Sequence, residues 1–186
     1  MEILSSRTSS LTIDPLSRIF VFTSGLFSIV ALILSIVGTA TYSWYFNQDS
    51  TGKTVYYNFF TQCTGSLLNA SSTCFDMQRN TILGLGTQNA AGLLVVALCL
   101  LGLGMLIILS MNFIQLTGSL AFIAPIILFL AALFMVAALA TGSRVTTYNS
   151  YSANLVETGH LLTIFSMGLI AFASGRFPFR YFEFLK

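Results

Sequence analysis

A chain of 186 residues that is 55% hydrophobic and only 8% charged, with a mean hydropathy of +0.85, cannot clothe a water-soluble surface, where about 25% charge is usual. The composition implies an integral membrane protein, all one domain over 1–186. The formal net charge of +2 is scattered, with no Lys/Arg run, which excludes the basic footprint of a nucleic-acid binder.

Residues 1–18 are polar, rich in Ser and Thr, and carry Arg7 and Arg18; they read as a short disordered tail ending near Asp14-Pro15. Residues 19–40 hold no charge, and about 20 such residues make a spanning helix. A cleaved signal peptide is the competing reading, since Gly38 and Ala40 are small, but the apolar stretch exceeds the about 7–15 residues of a signal.

Residues 41–88 form a long polar loop with the sole tryptophan, Trp44, the cysteines Cys63 and Cys74, and one Asn-x-Ser/Thr sequon at Asn69. Segments 41–46 and 54–60 are dense in aromatic and β-branched residues and flank a turn-like stretch, 47–52, which predicts a hairpin. A lone hairpin is marginal in water. A Cys63–Cys74 disulfide would stabilise it by about 2–4 kcal/mol; the other reading is two free thiols. Disulfides persist in oxidising compartments, and a used sequon must face the lumen. Together they put the loop on the exoplasmic side. Cys99, in an apolar run, reads as a buried, inert thiol.

Three further spans follow, at about 89–109, 116–140 and 153–173. The second is rich in small residues (Ala90, Ala91, Gly92, Gly102, Gly104), which let helices approach closely in lipid. Pro125 predicts a bend in the third. Glu157 and His160 share a face in the first turns of the fourth and read as a structural hydrogen-bonded pair, with a proton or metal site as the alternative; a metal would need more ligands. The second polar loop is 141–152, with Arg144. The tail 174–186 alternates aromatics with Arg176, Arg180 and Lys186, as headgroup-level segments do.

Four spans put both termini on one side. That side carries Arg7, Arg18, Arg176, Arg180 and Lys186, against Lys53, Arg79 and Arg144 on the other, a bias that points to cytoplasmic termini and plasma-membrane topology. With one histidine, no phosphate-cradling glycine loop and no ligand cluster, the chain reads as no enzyme, without cofactor or metal. No span shows the polar stripe that a pore would need.

The loop carries a resemblance. Trp44, then Asn58, Phe59 and Phe60, then Cys63 and Cys74 with ten residues between them, resemble the first-loop motif of the claudin and peripheral myelin protein superfamily, in which Gly-Leu-Trp precedes two closely spaced cysteines. Asn58 stands at the Gly, Phe59 at the Leu and Phe60 at the second Trp, so the motif's core is altered here. Arg79 stands near the arginine that often precedes the second span.

The resemblance implies a four-helix membrane bundle with a small extracellular antiparallel sheet, most strands coming from the first loop and one from the second. By analogy, Trp44 and Phe60 would wedge the sheet onto the bundle. It implies adhesion or a paracellular barrier at cell junctions, with the chain or related four-span proteins as partners in cis and trans. Leu67, Leu68 and the tyrosines would supply contact surface. Asp49, Lys53, Asp76 and Arg79 would set ion preference, or form a solvated surface. The ending Phe184-Leu185-Lys186 departs from the Tyr-Val ending of many claudins. The alternative is an auxiliary or membrane-organising subunit of an ion channel or receptor.

Overall fold

The computed structural model describes residues 15–41, 43–50, 52–66, 72–76, 87–113, 118–143 and 148–176. Among them are four helices long and apolar enough to cross a membrane: α1 (Pro15–Ala40), α2 (Thr87–Met111), α3 (Ile123–Ser143) and α4 (Tyr151–Gly175). A 25-residue helix is about 37 Å long, against about 30 Å of hydrocarbon. α1, α2 and α4 run past the apolar stretches expected from sequence, whereas α3 starts at Ile123 rather than at about 116 and ends at Ser143 rather than at about 140. At α1 the extension reaches back to Pro15, whose missing N–H costs nothing at a helix start. Each helix packs on two others, α1 on α4 and α2, α3 on α2 and α4.

On α1 and α4 small side chains rather than apolar ones mark the interior, whereas α2 and α3 also bury large ones such as Leu94, Leu101, Leu128 and Met135. Buried positions step by three and four: 17, 21, 24, 28, 31, 35 and 38 on α1, and 152, 156, 159, 163, 166, 170 and 173 on α4. The same spacing holds on α2 (90, 94, 97, 101, 104, 108, 111) and α3 (121, 124, 128, 131, 135, 138, 142, counting the turn before it). That 3.5-residue repeat packs helices with a left-handed twist. Large side chains such as Ile19, Phe22, Leu106 and Phe129 face outward, because lipid is as apolar as a core and close packing drives association there.

The small residues of α2 divide: Ala90, Ala91 and Gly104 are buried, and a Cβ at Gly104 would stand 2.7 Å from Leu128 Cδ2 of α3. Gly102 and Gly92 of α2 face open space. On α4, a Cβ at Gly159 would strike Ser35 Oγ and come within 2.9 Å of the Ala31 carbonyl. The four serines Ser17, Ser24, Ser28 and Ser35 form a buried stripe on α1, a polar stripe not apparent among the apolar residues of the sequence. Only its middle is closed by hydrogen bonds: Ser24 Oγ donates to the Ser166 carbonyl at 3.0 Å, Ser166 Oγ donates to the Ser24 carbonyl at 2.9 Å, and Ser28 and Ser166 hydroxyls meet at 2.6 Å; the buried hydroxyls of Ser17 and Ser35 have no hydrogen-bond partner among the described residues. Interhelical bonds in lipid contribute about 0.6–2 kcal/mol each.

Where a bend is expected, near residues 121–125, the chain changes helix type. A 3-10 turn, Gly118–Phe122, leads into α3, so the proline falls in the first turn of the α-helix. In a continuous helix residue 125 would donate to Ala121. The Ser174 hydroxyl of α4 donates to that carbonyl instead, at 2.7 Å, which satisfies the group the proline leaves open. Cys99 is not buried in the protein: it lies between seam positions 97 and 101 and faces outward.

At the end of the bundle where α1 and α3 finish and α2 and α4 begin, the chain forms an antiparallel sheet of β1 (Tyr45–Gln48), β2 (Lys53–Tyr57), β3 (Thr61–Ser66) and β4 (Ser72–Asp76), in that order. The expected hairpin is β1–β2, with Phe46 opposite Tyr56. Its turn closes through Gly52, whose φ of 78° suits glycine, and through Asp49 N–H to Lys53 O at 2.9 Å. All four strands come from the first loop; among the described residues the second loop supplies none.

Candidate functional site: the sheet–bundle junction

Trp44 leaves α1 by a sharp turn that its own indole fixes. Its Nε1–H donates to the Gly38 carbonyl at 2.6 Å, and the residue is 2% exposed. Gly38 is held close by α4: a Cβ there would stand 2.7 Å from the Ser152 carbonyl. The tryptophan therefore sits at the α1–α4 crossing and carries the first strand with it.

Phe59 of the altered motif, rather than Phe60, is the partner of Trp44. Their ring centroids are 4.5 Å apart, and Tyr148 lies edge-on to Trp44 at 5.4 Å. Phe60 is only partly buried and borders a groove with Gln88, Asn89 and Thr141. The cause is Asn58. Its Oδ1 accepts the N–H groups of Phe60 and Thr61, both at 2.7 Å, an Asx turn between β2 and β3 that points Phe59 inward. Its Nδ2 faces the Thr39 and Thr41 carbonyls at 3.4 and 3.3 Å. These belong to the end of α1, where carbonyls lose their helical partners. Buried at 3% exposure, Asn58 thus joins the sheet to the helix end through one side chain.

The second loop closes the junction from the other side. Gly142 of α3 lies under the rings of Phe59 and Tyr148, and a Cβ would collide with both. The Tyr148 hydroxyl donates to the Leu139 carbonyl at 2.7 Å. Burial, and secondarily the charge of Glu157, push its phenol well above the usual 10.0. Asn149 stands in for a fifth strand: it donates Nδ2–H to Phe46 O at 2.8 Å and accepts Phe46 N–H at 2.9 Å. One amide side chain so satisfies the Phe46 groups on the outer edge of β1, which would otherwise be open for pairing. Ser150, before α4, uses its hydroxyl on Ser43 at 2.6 Å rather than as a helix cap.

The disulfide joins Cys63 to Cys74, directly opposite each other in β3 and β4 with Cα atoms 4.1 Å apart. Cys63 is fully buried and Cys74 exposed, so the bridge links the inner face of the sheet to its outer strand. Tyr45 and Tyr57 stack at 4.8 Å; burial, then the nearby Tyr45, raises the Tyr57 phenol above its usual value.

The expected charge sites divide. Asp49 and Lys53 lie at the exposed hairpin tip, where the Asp49 carboxylate accepts Ser50 N–H at 2.7 Å. Asp76 ends β4 opposite Thr61. Asn69, Leu67, Leu68, Arg79 and Arg144 lie outside the described residues, as do Arg180 and Lys186. Glu157 and His160 are not a hydrogen-bonded pair: Glu157 is exposed, whereas His160 is half-buried toward the backbone of Ala132 on α3. No group of three or more metal-capable side chains occurs among the described residues.

Asn149 and Tyr148 were not foreseen as site residues. The run Tyr148-Asn149-Ser150 just before a span carries only the faint signal of turn-forming residues at a helix start. The structure defines a four-helix, membrane-spanning class of protein with a disulfide-linked four-stranded sheet fixed to one end. No protein-family model matches the chain, and no curated protein matches it.

Proposed function

We propose that this protein is a claudin-like, non-enzymatic adhesion or barrier protein of the plasma membrane. Both termini are cytoplasmic and the sheet faces out, at cell junctions, with Asn69 glycosylated. The observation that carries the reading is the fixed attachment of the sheet. Trp44 bonds back to Gly38, Asn58 ties β2–β3 to the end of α1, and the disulfide holds β3 to β4. A sheet held this firmly can bind a facing surface with little ordering cost. Its exposed parts, Phe46, Asn47, Gln48, Asp49, Ser50 and Lys53, are available for contact with a second copy in cis or trans.

The test is expression in non-adherent cells that lack junction proteins. Enrichment at contacts only where both cells express the protein supports adhesion; uniform surface staining of contacting pairs refutes it. Loss of a glycosidase-sensitive band in Asn69→Gln supports the outward loop. A second reading, an auxiliary subunit of a channel or receptor, draws on a separate feature, the outward-facing carboxylate of Glu157 on α4.

A further inference from the structure

We propose that the outward face of α4 docks a partner transmembrane helix bearing a lysine or arginine in the third of its span nearest the sheet. The proposal deepens the auxiliary-subunit reading and stands on α4 alone, apart from the adhesion reading. Glu157 lies six residues into α4, about 9 Å along the helix. Among the described residues it is the only charged side chain beyond the first turn of any spanning helix. Ionisable side chains in membranes normally face a bundle interior or a water-filled cavity. This one is exposed, and makes no hydrogen bond or ion pair within the described residues. His160, one turn on, is directed to Ala132.

The rest of that face has the form of a helix-packing seam. Asn154, Thr158, Leu161, Phe165, Gly168 and Phe172 are exposed and step by four, three, four, three and four. This is the spacing of the seam α4 uses against α1, repeated on its outer side. Thr158 Oγ1 donates to the Asn154 carbonyl, so the threonine hydroxyl beside the carboxylate is satisfied. Phe165 and Phe172, 65% and 53% exposed, flank Gly168, where a Cβ would meet nothing within 4 Å. Its inward counterpart Gly159 is filled by Ser35; Gly168 is the same kind of notch without an occupant among the described residues.

The carboxylate selects a cation. A second copy is a poor source, because the described parts of α1, α2 and α3 offer no basic side chain at that depth. Arg18 and Arg176 lie at the other end of the bundle.

The experiment uses the full chain, fluorescently labelled and reconstituted in phosphatidylcholine vesicles. The probes are two tryptophan-anchored Leu/Ala spanning peptides, identical except for Lys or Leu six residues from the end lying on the sheet side. Energy transfer should show the Lys peptide binding about three- to thirty-fold tighter, the range for one interhelical polar contact in lipid. Glu157→Gln should abolish the difference, and Gly168→Leu should weaken both peptides. Equal binding of the two peptides, or an advantage that survives Glu157→Gln, overturns the proposal. So does transfer between two labelled copies that Glu157→Gln relieves, which would assign the face to self-association. Unchanged Trp44 fluorescence shows that each variant is folded. Contact enrichment in the cell assay should be unaffected by Glu157→Gln, so failure of one reading leaves the other standing.

Discussion

Replacing Asn58 by alanine should release the sheet from the bundle. The side chain accepts two N–H groups at 2.7 Å and donates toward two carbonyls at 3.3 and 3.4 Å. The short pair contributes about 0.5–1.5 kcal/mol per bond. The long pair is weaker, but its removal takes a partner from part-buried helix-end carbonyls, each costing up to about 1 kcal/mol where water cannot enter. The sum is about 1–5 kcal/mol. At about 2–4 °C per kcal/mol for a chain of this size, the midpoint should fall by roughly 2–20 °C.

The assay is thermal unfolding in detergent followed by the fluorescence of Trp44, the sole tryptophan, which is buried against Phe59 and reports the junction directly. Gln48→Ala, on the exposed side of β1, is the control and should stay within about 0.5 kcal/mol. An Asn58→Ala midpoint equal to that of Gln48→Ala would refute the claim that this one amide holds sheet to helix.

Gly142→Ala should cost about 1–3 kcal/mol by pushing a methyl into the Phe59 and Tyr148 rings, with a red shift of Trp44 emission. Gly102→Ala, which meets open space, should be neutral or slightly stabilising in the same unfolding scan. Alkylation without reductant, read by mass, should modify Cys99 and spare Cys63 and Cys74, and the paired Cys63→Ser and Cys74→Ser changes should lower stability by about 2–4 kcal/mol. Because the fold raises the Tyr148 phenol above 10.0, its contribution is complete below pH 10 and is lost as pH climbs above that value. Tyr148→Phe should cost about 1 kcal/mol at neutral pH and flatten the alkaline slope of stability, leaving the smaller part due to Tyr57.

The sequence by itself determined the medium and the count of spans, because a chain with so little charge can hide its backbone only in apolar helices. It also determined the β1–β2 hairpin and the Cys63–Cys74 pair, since turn residues and cysteine spacing act locally. It could not say which face of each helix turns inward, because hydrophobicity is nearly uniform around a helix in lipid. The heptad of small residues became visible only once α1 and α4 were side by side. Nor could it choose between Phe59 and Phe60, adjacent residues whose directions depend on the turn at Asn58. Tertiary structure decided the rest: Ser174 answering for Pro125, Asn149 standing in for a strand across more than a hundred residues, and Glu157 turned outward from the bundle. Each depends on where distant backbone groups lie, and no local pattern encodes that.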